Sequence, residues 1–114
     1  MNRETIYKEI QKVSSYQYFD IVYKQDEYTL IKDTIKLIDL DDEFIKVGFV
    51  GYQYTIPLSK VAYVCEANDI VLRYRLKSEY LGVKNTDERS LYLFNALTKL
   101  LGDKDKAVAF IERK

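Results

Sequence analysis

The chain reads as an α+β fold. It should have a short N-terminal helix, an antiparallel, strongly bent sheet or small barrel of six to eight strands, and a C-terminal amphipathic helix packed on that sheet. Three observations predict this. Apolar residues follow helical spacing up to Val13, alternate with polar ones from Tyr18 to Val83, and return to helical spacing in the Leu-rich stretch that follows. The middle region is rich in Tyr, Val and Ile, which suit a pleated, half-buried surface. Turn-forming clusters recur there every eight to twelve residues, so connections are short and neighbouring strands antiparallel.

Residues 2–14 form the first expected helix. Asn2 can cap it, Glu4 suits the positive end of the dipole, and Ile6, Ile10 and Val13 share a face that Tyr7 widens. The sheet is expected over 18–83. In "YFDIVYK" the residues Phe19, Ile21 and Tyr23 lie on one face; "QDE" turns; "YTLIK" and "TIKLIDL" read as one bent strand. "DDEFIKVGFV" starts from an acidic turn, and "GYQYTI" returns with Tyr52, Tyr54 and Ile56 aligned before the only proline, Pro57. "VAYVC" and "IVLRYRLK" read as the next pair of strands, and "EYLGV" as a last one. The helix expected over 86–101 is capped by Asn85 or Thr86 and carries Leu93, Phe94, Leu97, Leu100 and Leu101 as its apolar stripe. The segment 105–112 fits a short helix by Val108 and Ile111, or a strand by Val108 and Phe110. Sheets of this size tend to curl, and 114 residues suffice for one domain, 1–114, with its own core.

Composition excludes several function classes. Lys plus Arg equals Asp plus Glu at 18 each, so nothing in the total favours a nucleic-acid backbone; such binding would need a local patch. With no histidine there is no Ser-His-Asp or Cys-His pair and no His-ligated zinc. The lone Cys65 cannot form an internal disulfide, which points to a reducing, cytoplasmic setting. No apolar run approaches the ~20 residues that span a bilayer, and "MNRETIYKEIQKV" has no signal-peptide character. The reading has no cofactor, metal, membrane or small-molecule substrate, and is not an enzyme.

Four features compete as sites. "DLDDE", with Asp39, Asp41, Asp42 and Glu43, has oxygen ligands of the kind Ca²⁺ or Mg²⁺ takes but lacks the glycine and distal Glu of a calcium loop, and it reads first as a solvated hairpin turn. In "RYRLK", a strand would place Arg73, Arg75 and Lys77 on one face, a row able to grip phosphates or carboxylates. Cys65 has only Glu66 beside it, which raises rather than lowers a thiol pKa, so it reads as structural. Among eleven tyrosines, Tyr52 and Tyr54 share a face beside Pro57 and Tyr63 lies on the following strand; tyrosine suits interfaces because it buries large area at little rotamer cost.

The order of elements over "YTIPLSKVAYVCEANDIVLRYRLKSEYLGVKNTDERSLYLFNALTKLL" resembles bacterial PH-like domains of the GRAM type, a bent sheet followed by one helix. "TIKLIDLDDEFIKVGFVGYQYTIPLSKVAYV" is similar to an Sm-like strand set without its glycine pattern, and "IPLSKVAYVCEANDIVLRYR" resembles a LytTR-type domain without its basic end. All three resemblances imply binding rather than catalysis, and none names a ligand. The expectation is therefore a non-enzymatic binding module for a protein partner or for self-association. It would be an accessory, regulatory or inhibitor-like protein of a bacterium, phage or archaeal virus, with Tyr52, Tyr54, Tyr63, Arg73, Arg75 and Lys77 as partner-binding residues. The alternative is nucleic-acid binding by the Arg73, Arg75 and Lys77 face, and a divalent-metal enzyme is the remote third.

Overall fold

Asn2 starts the first helix as the sequence predicts. Its side chain accepts the Thr5 N–H at 2.8 Å, and α1 runs Arg3–Val13 with Ile6 and Ile10 buried. Tyr7, expected to widen the buried stripe, stays half exposed. In the computed structural model, which describes residues 1–83 and 88–113, five strands follow: β1 Tyr18–Lys24, β2 Leu30–Leu40, β3 Phe44–Phe49, β4 Tyr52–Pro57 and β5 Val61–Cys65. Three helices complete the chain, α2 Asp69–Gly82, α3 Glu88–Leu101 and α4 Lys104–Glu112. The cap expected at Asn85 or Thr86 lies outside the described residues. The chain groups into two compact units, Met1–Asp69 and Ile70–Lys114.

In the first unit the strands pair antiparallel in the order β4-β3-β2-β1-β5. The sheet has two edges and is not a closed barrel. β2 is one long strand, as expected, but its irregularity falls at the bulge between Leu37 and Asp39 rather than at Lys32 and Asp33. The register places Phe19, Ile21, Ile35, Val47, Ile56 and Val64 on one face, and Ile6 and Ile10 of α1 join them in a single apolar cluster. Within this unit the helix on this face is α1. The N-terminal helix precedes β1 by one short turn, at Tyr16 and Gln17, both with positive φ. That turn folds it straight back onto the sheet.

On the opposite face Asp20 of β1 is buried at 1% exposure. The Thr34 hydroxyl donates to its Oδ1, the Asn68 N–H donates to Oδ2 at 3.2 Å, and Lys32 Nζ lies 3.9 Å away. A buried carboxylate persists only with such partners.

The largest departure from expectation is 70–83, predicted as strand and found as helix α2. Ile70, Leu72, Tyr74 and Leu76 alternate, but a spacing of four belongs to both periods, and Leu72 and Leu76 satisfy either. Tertiary packing selects the helical reading: Leu72, Leu76 and Glu79 are buried, while Ile70 and Tyr74 are exposed. The segment's Leu, Arg, Lys and Glu are also good helix formers. This removes strands from the expected six to eight. In the second unit α3 buries Leu93, Ala96 and Leu97, and α4 is the helix alternative for 105–112, capped by Asp103, whose side chain accepts the Lys106 N–H at 2.8 Å. Arg89 Nη2 bonds Glu79 Oε2 at 2.8 Å, tying α3 to α2.

Candidate binding surfaces

Strand order separates the tyrosines that the sequence groups together. Tyr52 and Tyr54 lie on β4 and Tyr63 on β5, the two opposite edges of the sheet, so they form no common surface. Tyr52 and Tyr54 instead join a row that sequence spacing does not reveal. Ring centroids lie 5.4 Å apart for Phe49–Tyr52, 5.5 Å for Tyr52–Tyr54 and 6.2 Å for Tyr23–Tyr54. Tyr23 sits on β1, three strands from β4, roughly 14 Å away across a flat sheet at about 4.8 Å per strand. A 6.2 Å ring distance shows that the sheet curls toward this face.

Chemistry pins the row in the middle. Tyr54 Oη donates to Asp33 Oδ2 on β2 at 2.7 Å. Burial, then the Asp33 carboxylate, push the Tyr54 hydroxyl well above the usual tyrosine range, so it remains a neutral donor. Tyr54 is half-buried against the core, whereas Tyr52, between Phe49 and Tyr54 in the row, is 54% exposed.

β4 also offers main-chain groups. The Leu58 N–H donates to Glu43 O at 2.8 Å, so Glu43 and Leu58 are a hydrogen-bonded pair. Antiparallel pairs alternate, so Ile45–Ile56, Val47–Tyr54 and Phe49–Tyr52 are bonded pairs as well. The backbone groups of Gln53 and Thr55 then point away from β3, and so does the position of Pro57, which has no N–H to offer. Among the described residues no strand pairs with this side of β4. Gln53 and Thr55 are exposed, and Tyr52–Pro57 carries no charge. The other edge strand, β5, is the one α1 packs against.

Helix geometry also disperses the expected basic row. At about 100° per residue, Arg73 and Lys77 lie close on α2 while Arg75 points nearly opposite. Lys77 Nζ donates to the Arg113 carbonyl at 2.5 Å and lies 5.1 Å over the Phe110 ring. Arg73 meets Lys106 and Arg113 around a concavity of about 390 Å³ that also contains Tyr74. Lys106 and Arg113 are not singled out by the sequence, because only the packing of α4 alongside α2 brings them to Arg73.

The acidic turn is used structurally. Asp41 Oδ1 accepts the N–H groups of Glu43 and Phe44, each at 2.8 Å, and these bonds hold its carboxyl below the usual range. No group of three acidic or Cys residues able to hold a metal occurs among the described residues. Cys65 is half-buried on β5 as a free thiol. No helix among the described residues is long and apolar enough to cross a membrane. No protein-family model matches the chain, and neither a curated protein nor a solved structure is similar to it.

Proposed function

We propose that the protein is a binding module that captures an extended segment of another protein by strand addition to β4. The observation that carries this reading is the unpaired, uncharged edge Tyr52–Pro57, bordered by the aromatic row that includes exposed Tyr52. Exposed edges in soluble proteins are commonly blunted by charge, a bulge or a cover. This one has only a terminal proline, which limits the added strand to the reach of Gln53 and Thr55. Main-chain bonds to those two residues would provide affinity, and an apolar side chain on the row would provide selectivity. Tyr63 and the Arg75 side of α2 have no part in this surface.

Peptide display against the immobilised protein tests it. Selected peptides should protect the Gln53 and Thr55 amides from hydrogen exchange. Thr55→Pro removes one outward N–H without touching the β3 ladder, and Tyr52→Ala interrupts the row; each should weaken binding by about five- to tenfold, the loss of one net hydrogen bond or one aromatic contact. Peptides that bind Thr55→Pro as well as the parent, or that protect another strand, defeat the proposal. A concentration-dependent dimer with the same two amides protected would assign the edge to a second copy instead.

A further inference from the structure

We infer that the helical unit carries a separate site for a nucleotide unit, a phosphate group with an attached flat ring, held by Arg73, Lys106 and Arg113 with Tyr74 as the stacking surface. The site is independent of the β4 edge and involves only residues of Ile70–Lys114.

The zero net charge of the chain conceals a division. Met1–Asp69 carries eight Lys and Arg against twelve Asp and Glu, and Ile70–Lys114 carries ten against six. The helical unit is thus the basic part of an overall neutral molecule, a setting that attracts polyanions locally. Within it three cations converge. Arg73 comes from α2, Lys106 from the first turns of α4 and Arg113 from the residue closing α4, and all line one concavity of about 390 Å³ with no acidic residue among the lining. Guanidinium forks match phosphate oxygens in pairs, and an ammonium adds a point charge.

The site is built rather than accidental. The Lys77 ammonium grips the Arg113 carbonyl at 2.5 Å, which fixes where Arg113 leaves the helix. Tyr74 lies 5.0 Å from Phe110 at 54°, and Phe110 is 8% exposed, so a core residue supports the tyrosine ring from one side. Tyr74 itself is 49% exposed. A supported, accessible ring beside three cations is the combination used to hold single-stranded nucleotides, where stacking tolerates any base and the groove follows the backbone. A carboxylate-bearing peptide would use the cations but not the ring.

Fluorescence anisotropy with a labelled ten-nucleotide single strand, in RNA and DNA forms, tests the full chain. About three phosphate contacts predict affinity falling roughly twentyfold between 50 and 200 mM salt, from a slope near 0.7 per phosphate. Arg73→Ala and Arg113→Ala should each weaken binding and flatten that salt dependence. Tyr74→Ala should lose about tenfold while Tyr74→Phe retains binding, which separates stacking from the hydroxyl. Arg75→Ala, outside the concavity, should change nothing, and circular dichroism checks that every variant folds. Competition identifies the source: a mononucleotide matching the strand assigns the site to free nucleotides, and a strand far stronger than its mononucleotide assigns it to nucleic acid. Absence of binding at 50 mM salt, equal binding by Arg73→Ala and Arg113→Ala, or an acidic or phosphoserine peptide competing as well as the strand overturns the inference. Failure here leaves the β4 edge untouched, since peptide capture there is read on different amides.

Discussion

Replacing Gly48 with alanine tests whether the curl of the sheet is enforced by close backbone approach. Gly48 of β3 faces Gln53 across the β3–β4 hairpin. A Cβ built there would lie 2.3 Å from the Tyr52 carbonyl oxygen, 3.0 Å from Gln53 Cα and 3.0 Å from Ile38 Cδ1, against ordinary contact beginning at 3.4 Å. The first two neighbours are backbone, so relief requires moving β4 and not merely turning a side chain. Two opposing terms set the magnitude. Overpacking of this kind costs about 1–3 kcal/mol, and removing a strand glycine gains about 0.5–1 kcal/mol through the unfolded chain. The clash wins, and the net loss is about 1–2 kcal/mol. For a unit of this size that lowers the melting temperature by roughly 4–16 °C. Urea and thermal unfolding followed by tyrosine fluorescence read the effect, and the Tyr23–Tyr54 contact, reported by NMR cross-peaks between the rings, should weaken with it. Gly82→Ala is the control: nothing lies within 4 Å of its added Cβ and its φ is ordinary, so it should be neutral or stabilising. A Gly48→Ala protein as stable as the parent, with the ring contact intact, would refute the argument that β4 is drawn against Gly48.

Two further outcomes follow from buried polar groups. Asp20→Ala removes the acceptor of the Thr34 hydroxyl and of the Asn68 N–H and should destabilise by about 2–4 kcal/mol. Asp20→Asn keeps one acceptor oxygen and one group for Thr34, and should cost about 1 kcal/mol; chemical denaturation ranks the pair, and equal losses would contradict the bonding described. Tyr54 titrates above its ordinary 10.0 in the folded state, so it binds its proton more tightly folded than unfolded. Its contribution is fully present below pH ~10 and is lost as pH rises beyond it, when the unfolded chain ionises first. Tyr54→Phe should therefore flatten the alkaline fall of stability and, by removing the bond to Asp33, lower stability near neutral pH by about 1–2 kcal/mol. An unchanged alkaline slope would show that Tyr54 is not the group responsible.

Much of the fold was legible because local rules and tertiary packing agreed. The Asn2 cap and the turn at "DLDDE" rest on contacts within a few residues, the strand "YFDIVYK" and the Pro57 exit on local alternation and proline chemistry that the sheet pairing then satisfies, and all are found where expected. Residues 70–77 were not legible, because alternation and the helix share the spacing Leu72–Leu76, and only the burial of Glu79 with the exposure of Ile70 and Tyr74 separates them. The grouping of the candidate site residues was not legible for the same reason. Arg73, Arg75 and Lys77 form a row only if the segment is a strand, and Tyr52, Tyr54 and Tyr63 form a patch only if β4 and β5 are neighbours.

By itself the sequence determined the class of the fold, the ends of most elements and the residues able to bury an apolar face. These depend on spacing along the chain, which is fixed covalently. Tertiary structure alone decided that α1 covers the sheet, that Tyr23 and Phe49 complete the row with Tyr52 and Tyr54, that β4 is left unpaired, and that Lys106 and Arg113 come to Arg73. Each of these joins residues far apart in sequence. Many pairings satisfy the same local pattern, and the choice among them is made by which arrangement buries the apolar faces together while leaving no buried polar group without a partner.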